Sequence, residues 1–400
     1  QAHFALGTDS NGDTTIETLV DIFYELPDAN PFVFLIALVG ILALVFHNKI
    51  KNNFIQSIPA PMWVLLLAIP LVFAFDFFTE HYIEFLGNSY AVSPKLLIDI
   101  PKNPLDSIMH PDFGMIGTSA FWLTVLSITT IATIETLAIA RAVDKLDPYK
   151  RTTDLDKDLV GVGLSTMISG ALGGLPIITV IVRSTVNVNH NAKTKWSNFY
   201  HGIFLILFIL ILAPLLRSVP LAALAAILLH TGYKLASPKV FKQAYDQGVE
   251  QLLFLSSTLI ITLFTDLLYG ILGGILVTLV LHLLLAKVGF VRFFKLIYNS
   301  GSKLIQLDNG TYDVKLKGIA NFLYALQLDK LLKKIPSGAT VRIDMSQTRL
   351  IDLTIMENVI EYKRIQENKG GDVKLVGLDN HVASTNHNRA LKIITGGLTK

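Results

Sequence analysis

Nine apolar runs set the frame for anything this chain can fold into. They lie at about 31–47, 60–78, 120–140, 159–172, 177–187, 202–216, 219–233, 252–264 and 267–286. Only two or three reach the ~20 residues that a straight membrane-spanning helix needs. The others are short and interrupted by Gly or Pro, the pattern of transporters built from broken or tilted helices. A water-soluble domain carries about 25% charged residues. Here 16% of 400 residues are charged and 52% are hydrophobic. The charge is also unevenly placed, because residues 304–400 hold 14 of the 34 Lys and Arg. The chain therefore divides into a transmembrane domain over 1–300 and a small soluble domain over 304–400.

Several function classes lose support on composition. The net charge of +3 is too small to argue for a nucleic-acid partner. With no cysteine, disulfides and thiolate metal sites are excluded. The ten histidines are scattered, without the His-x-x-Glu-His spacing of a zinc site. Neither a Gly-x-Ser-x-Gly elbow nor a phosphate-binding Gly-Lys-Ser/Thr loop occurs, so hydrolase and ATP-driven pump are unsupported. Residues 144–158 carry five aspartates, but basic residues nearly cancel them and the spacing is not that of a calcium loop. That segment reads as a solvated loop. No catalytic residue, metal site or cofactor is expected.

Loop charge orients the chain, because basic residues accumulate on the cytoplasmic side. With the C-terminal domain in the cytoplasm, the cytoplasmic loops are about 48–58, 141–158, 188–201, 234–251 and 287–303. They hold 16 Lys and Arg, whereas the opposite loops hold three: Lys95, Lys102 and Arg217. This puts residues 1–30 and the loop 79–118 outside. Residues 1–30 are acidic and lack the basic start of a signal peptide. An external N-terminus without a leader suggests that a further N-terminal part belongs to the protein.

Two positions within the apolar runs carry chemistry. Gly173-Gly174-Leu175-Pro176 breaks the chain at membrane depth, and Arg183 follows in an otherwise apolar segment. A guanidinium there costs at least a few kcal/mol unless it meets a partner, a cavity or water. A broken helix with a cation near its start is how secondary transporters build an anion site near the midplane. The predicted anion-binding residues are Thr179, Val180, Ile181, Val182, Arg183 and Ser184. The bland alternative is that Arg183 snorkels to the surface. Glu135 is the sole acidic residue between Ala120 and Arg141. It reads as a coupling-ion or proton site, or else as a structural partner of Arg183 or of backbone donors.

The tail changes style. "TYDVKLKG", "TVRIDMS" and "DVKLVG" alternate like strands. "FLYALQLDKLLKKI" and "LTIMENVIEYKRIQENKGG" between them are helical, the second stopping at Gly370-Gly371. This alternation predicts a small α/β domain. Asp352 suits the N-cap of the second helix, with Thr354 as an alternative modification or ligand position.

Three stretches together resemble the SulP family of inorganic anion transporters. They are "TIETLAIARAVD", "KDLVGVGLSTMISGALGGLP…IVRSTVNVNHNAKTKWSNF" and "VPLAALAAILLHTGYKLASPKVF". The tail, with "VRIDMSQTRLIDLTIMENV" and "VKLVGLDNH", is similar to the STAS domain that follows in that family. The resemblance implies an α-helical polytopic membrane protein, the second part of a fold of two inverted seven-segment repeats. The nine runs then match segments six to fourteen, and "QAHFALG" aligns with the end of segment five. It further implies an anion held between facing half-helices of segments three and ten, with Arg183 as the family's arginine. Glu135 matches the carboxylate that bears on cation coupling. A homodimer in the cell inner membrane is implied, its C-terminal domain cytoplasmic.

The chain also departs from the family pattern. Ile177, Ile178 and Val180 are bulky where relatives are small or, at Val180, acidic. Ile139 stands where sodium-coupled bicarbonate members place a hydroxyl, which favours proton coupling or exchange over sodium symport. The expected function is secondary-active transport of an inorganic anion, with bicarbonate or sulfate ahead of chloride. An uncoupled anion channel and a membrane-anchored STAS regulatory module are the rivals. On this alignment residues 1–400 alone carry one of two half-helices and are expected to be transport-incompetent. Residues from about Gly301 are expected to fold alone.

Overall fold

The structure, a computed structural model, describes residues 1–9, 12, 14–47, 49–101, 108–149, 151–308 and 310–395. Lys102 and Lys150, both counted in the loop charges, lie outside the described residues, as do residues 396–400 and the side chain of Val182. The chain forms two compact units, Gln1–Leu235 and Ala236–Lys400.

The first unit is helical. It contains α1 (Ala2–Leu6), α2 (Thr15–Glu25), α3 (Pro31–His47), α4 (Asn53–Ser57) and α5 (Ala60–Ala74). A hairpin of β1 (His81–Phe85) and β2 (Asn88–Val92) follows. Then come α6 (Ser119–Leu146), α7 (Leu155–Ala171), α8 (Ile181–Asn189), α9 (Trp196–Leu216) and α10 (Leu221–Leu235). Seven of the apolar runs are thus α3 and α5 to α10. Thr14 and Glu17 start α2 with a reciprocal capping box.

The core of this unit lies among α3, α5 and α10. Ile36 and Ala37 meet Val64 and Ala68, and Ala222, Ala223 and Ala225 fill the third side. Small residues let these backbones approach closely, as membrane helices favour. A Cβ at Gly40 would sit 2.9 Å from Val64 and 3.0 Å from Ala226. The described part of the 79–118 segment holds a hairpin and long-range hydrogen bonds. Leu86 and Gly87 both have positive φ, 55° and 83°, as a tight two-residue hairpin turn requires. Asn30 donates to the Ala91 carbonyl at 2.8 Å. Arg217 donates to the Ile100 and Pro101 carbonyls, each at 2.9 Å.

The second unit begins with α11 (Pro238–Gln247), α12 (Val249–Phe264), α13 (Leu267–Ala286) and α14 (Phe290–Tyr298). The last two apolar runs are α12 and α13. Gly270 and Gly274 of α13 face Thr262 and Thr258 of α12, and a Cβ at either glycine would collide with the threonine hydroxyl. Among the described residues, α6, α9 and α13 are each long and apolar enough to cross a bilayer.

The sheet domain follows: β3 (Lys303–Gln306), β4 (Tyr312–Ala320), α15 (Ala325–Leu332), β5 (Thr340–Ile351), α16 (Leu353–Asn368), β6 (Asp372–Val376), β7 (His381–Ala383) and β8 (Lys392–Ile394). The order is β3-β4-β5-β8-β7, with β6 paired to β5 as well. The β4, β5 and β6 strands run parallel, linked by the two helices, as the sequence pattern predicts. Val314, Ile343 and Val373 of the sheet meet Leu328, Ile355 and Val359 of the helices in one core. Asp352 caps α16, accepting from the Ile355 amide at 2.8 Å.

A second small core lies on α14, whose Phe293 and Ile297 cover Ile319, Leu350 and Leu391 of the sheet domain. The 300–304 boundary read from composition therefore falls inside a compact unit. A fragment starting at Gly301 would bare those three sheet residues.

Candidate functional site

The break after α7 is built by local chemistry. Gly173 turns the chain with φ 79°, where a Cβ would lie 2.8 Å from the Met109 carbonyl oxygen and Cβ. Residues 174–180 then run without helical structure. Two hydroxyls of α7 hold this stretch. Thr166 accepts from the Ile177 amide at 3.1 Å and donates to the Ile177 carbonyl at 3.3 Å. Ser169 donates to the Leu175 carbonyl at 2.8 Å. Its own carbonyl accepts from the Gly174 amide, also at 2.8 Å.

The helix then restarts. Val180 is the N-cap of α8, with extended backbone and no side-chain cap among the described residues. The helix thus starts two residues after Thr179, and Thr179 and Val180 precede it. The first amides of α8 lack intrahelical partners, and the macrodipole adds roughly half a positive charge there. Arg183 is the third residue of α8 and is exposed. Ser184 donates to the Val180 carbonyl at 3.0 Å and Thr185 to the Ile181 carbonyl at 2.8 Å. Those two hydroxyls are committed to the helix backbone.

Glu135 is half-buried on α6, which packs against both α7 and α8. The fold so brings the elements carrying Glu135 and Arg183 together. It does not pair them: among the described residues neither side chain has a hydrogen bond or ion pair. Next to Glu135, Thr136 is fully buried and its hydroxyl lacks a hydrogen-bond partner among the described residues.

The ends of these helices are locked by the loop that reads as merely solvated. Arg151 binds Asp147 through two nitrogens, at 2.8 and 3.0 Å, and donates to the Lys193 carbonyl at 2.8 Å. The Arg151 guanidinium holds the Asp147 carboxyl down at about 2, against an ordinary 3.8. Asp144 accepts from the Thr153 amide at 2.9 Å. Ser197 donates to Asn187, joining α9 to α8. The sequence reading missed Thr166, Ser169 and Asp147 as positioning residues. The (i, i+4) spacing of Asp147 and Arg151 was the available signal for one of them.

Helices long and apolar enough to cross a bilayer, beside a broken pair with an uncapped helix start, define a polytopic membrane-protein fold of the discontinuous-helix class. Residues 1–257 match the sulfate permease family, and the chain belongs to that family. Membership places it among permeases and not among enzymes. YvdB of Bacillus subtilis (strain 168), whose name places it with sulfate transporters, is 26% identical over 274 residues, covering 68% of this chain and 47% of YvdB. Bicarbonate transporter BicA of Picosynechococcus is 24% identical over 278 residues, 69% of this chain and 46% of BicA. The chain thus spans about half the length of the curated relatives it matches. The murine Slc26a9 anion transporter in its inward-facing state superposes with a TM-score of 0.57 at 15% identity, over 93% of this chain and 61% of that one. That likeness shows the fold.

Proposed function

We propose that this chain, matching segments six to fourteen of a fold of two inverted seven-segment repeats, works in secondary-active transport of an inorganic anion. The observation that carries the reading is the uncapped start of α8 after a hydroxyl-pinned break, with Arg183 in its first turn. The amides near Thr179 to Val182 and the Arg183 guanidinium bind the anion, and Glu135 couples a cation to its movement. Bicarbonate and sulfate are the leading substrates, ahead of chloride, in keeping with what YvdB and BicA are named for. Ile139 in place of a hydroxyl favours proton coupling or exchange over sodium. The loop-charge asymmetry supports residues 1–300 lying in the inner membrane with 304–400 cytoplasmic, and the family resemblance supports a homodimer.

Calorimetric titration of full-length protein, carrying both half-helices, with sulfate and with bicarbonate tests the site. A charge-assisted hydrogen bond contributes about 1.5–3 kcal/mol, so Arg183→Ala should weaken binding roughly 10- to 100-fold. Unchanged affinity in a folded Arg183→Ala protein would refute the assignment.

A further inference from the structure

The helix α14 carries an apolar stripe that the sheet domain does not cover. Phe293 and Ile297 face the sheet and are 1% and 0% exposed. Phe290, Phe294 and Tyr298, four residues apart, share another stripe, and Val291 lies beside Tyr298 one turn-pair earlier. On it Phe290 is 66% exposed, Val291 81% and Tyr298 60%. The Phe290 and Phe294 rings pack edge to face at 5.0 Å. Arg292 and Lys295, both exposed, continue around the helix from this stripe, and Lys287 stands just before it. A solvated helix has no use for so much exposed aromatic surface.

Chain connectivity says what covers the stripe. α13 has 20 residues, is long and apolar enough to cross a bilayer, with a mean hydropathy of 2.3 over an 18-residue window, and ends at Ala286. Only Lys287, Val288 and Gly289 separate it from α14. Three linking residues reach about 11 Å at most, so α14 starts within reach of the headgroup layer at the end of α13. Aromatics and cations on one short helix at that depth are the composition of an interfacial helix, with rings at the acyl boundary and cations among phosphates.

We propose that α14 lies on the bilayer and binds anionic phospholipid headgroups through Lys287, Arg292 and Lys295, with Phe290, Val291 and Tyr298 inserted at the acyl boundary. The adjoining face, Phe293 and Ile297, holds Ile319, Leu350 and Leu391, so the same nine-residue helix fixes the sheet domain to the membrane surface. The inference requires only that α13 spans the membrane and is independent of which anion is carried.

The chain has no cysteine, so Val291→Cys gives a unique site for an environment-sensitive fluorophore. The labelled protein is reconstituted in phosphatidylcholine bilayers with and without phosphatidylglycerol. The label should be quenched by brominated acyl chains and shielded from iodide when phosphatidylglycerol is present. Changing Lys287, Arg292 and Lys295 to Gln should lower its membrane occupancy roughly fivefold per charge, in the phosphatidylglycerol bilayers only. Leu326→Cys, at a 72% exposed position of the sheet domain, should stay open to iodide. Iodide access at position 291 in anionic bilayers would overturn the proposal. Equal bromine quenching in both bilayers, unaffected by the Gln changes, would remove the anionic-lipid claim. Shielding from iodide without bromine quenching would assign the stripe to a protein contact such as a second copy, and would also overturn it.

Discussion

Thr166→Val isolates the part of the site that the sequence reading did not see. Valine keeps the volume and the β-branch of threonine and removes both hydrogen bonds to Ile177, at 3.1 and 3.3 Å. Membrane-embedded hydroxyl bonds average about 0.6 kcal/mol, and soluble-protein bonds run to about 1.5. Losing two therefore costs about 1–3 kcal/mol in the stability of the break. That corresponds to a change of roughly 5- to 150-fold between formed and relaxed arrangements. An anion that needs the formed break sees its apparent Kd rise by the inverse of the competent fraction. A rise of roughly 10-fold is expected in calorimetric titrations, and Thr166→Ser, which keeps the hydroxyl, should stay within about 2-fold of the parent. Ser169→Ala acts on the same segment and should combine non-additively with Thr166→Val. Parental affinity in a folded Thr166→Val protein would refute the idea that α7 hydroxyls hold the anion site in shape.

In full-length protein carrying both half-helices, Glu135→Gln should abolish uphill anion accumulation in proteoliposomes and leave exchange partly intact; if accumulation and its pH and sodium dependence survive, Glu135 is structural. Asp147→Ala should destabilise the α6–α7 corner by about 1 kcal/mol or less, because the Arg151 partner of this pair is exposed to solvent. The Asp147 carboxyl is depressed to about 2, so its contribution is present above about pH 4 and lost as pH falls through 2. Melting curves of parent and Asp147→Ala should converge in that window, and a constant gap would contradict the pairing. Burial pushes Asp352 up to about 7 from 3.8, so its contribution is full below about pH 4, declines as pH rises, and is lost above about 7. Asp352→Asn keeps the cap and should flatten that part of the stability profile; an unchanged slope would place the titration elsewhere.

Local chemistry was enough to read much of this protein from its sequence. Each apolar run contains a helix, because a continuous apolar stretch satisfies most of its backbone polar groups only by helical bonding within the membrane. The strand and helix alternation of the tail appears as β4, α15, β5, α16 and β6, since period-two and period-four patterns each suit one element. Asp352 was legible as a cap because its partner, the Ile355 amide, is three residues away. The turn at Gly173 was legible for the same reason of proximity.

What stayed hidden depends on partners distant in sequence or on which face of a helix is covered. Thr166 meets Ile177 eleven residues on, across a break whose direction no pattern encodes. Arg217 reaches carbonyls more than a hundred residues away, a pairing that no local pattern encodes. Glu135 and Arg183 sit on packed helices yet stay unpaired among the described residues, a matter of helix rotation and not of residue type. Phe293 and Ile297 bury against Ile319, Leu350 and Leu391, a packing that composition does not encode. Composition places charge and apolarity along the chain. Only tertiary packing decides which of two apolar stripes on α14 meets protein and which is left for another solvent.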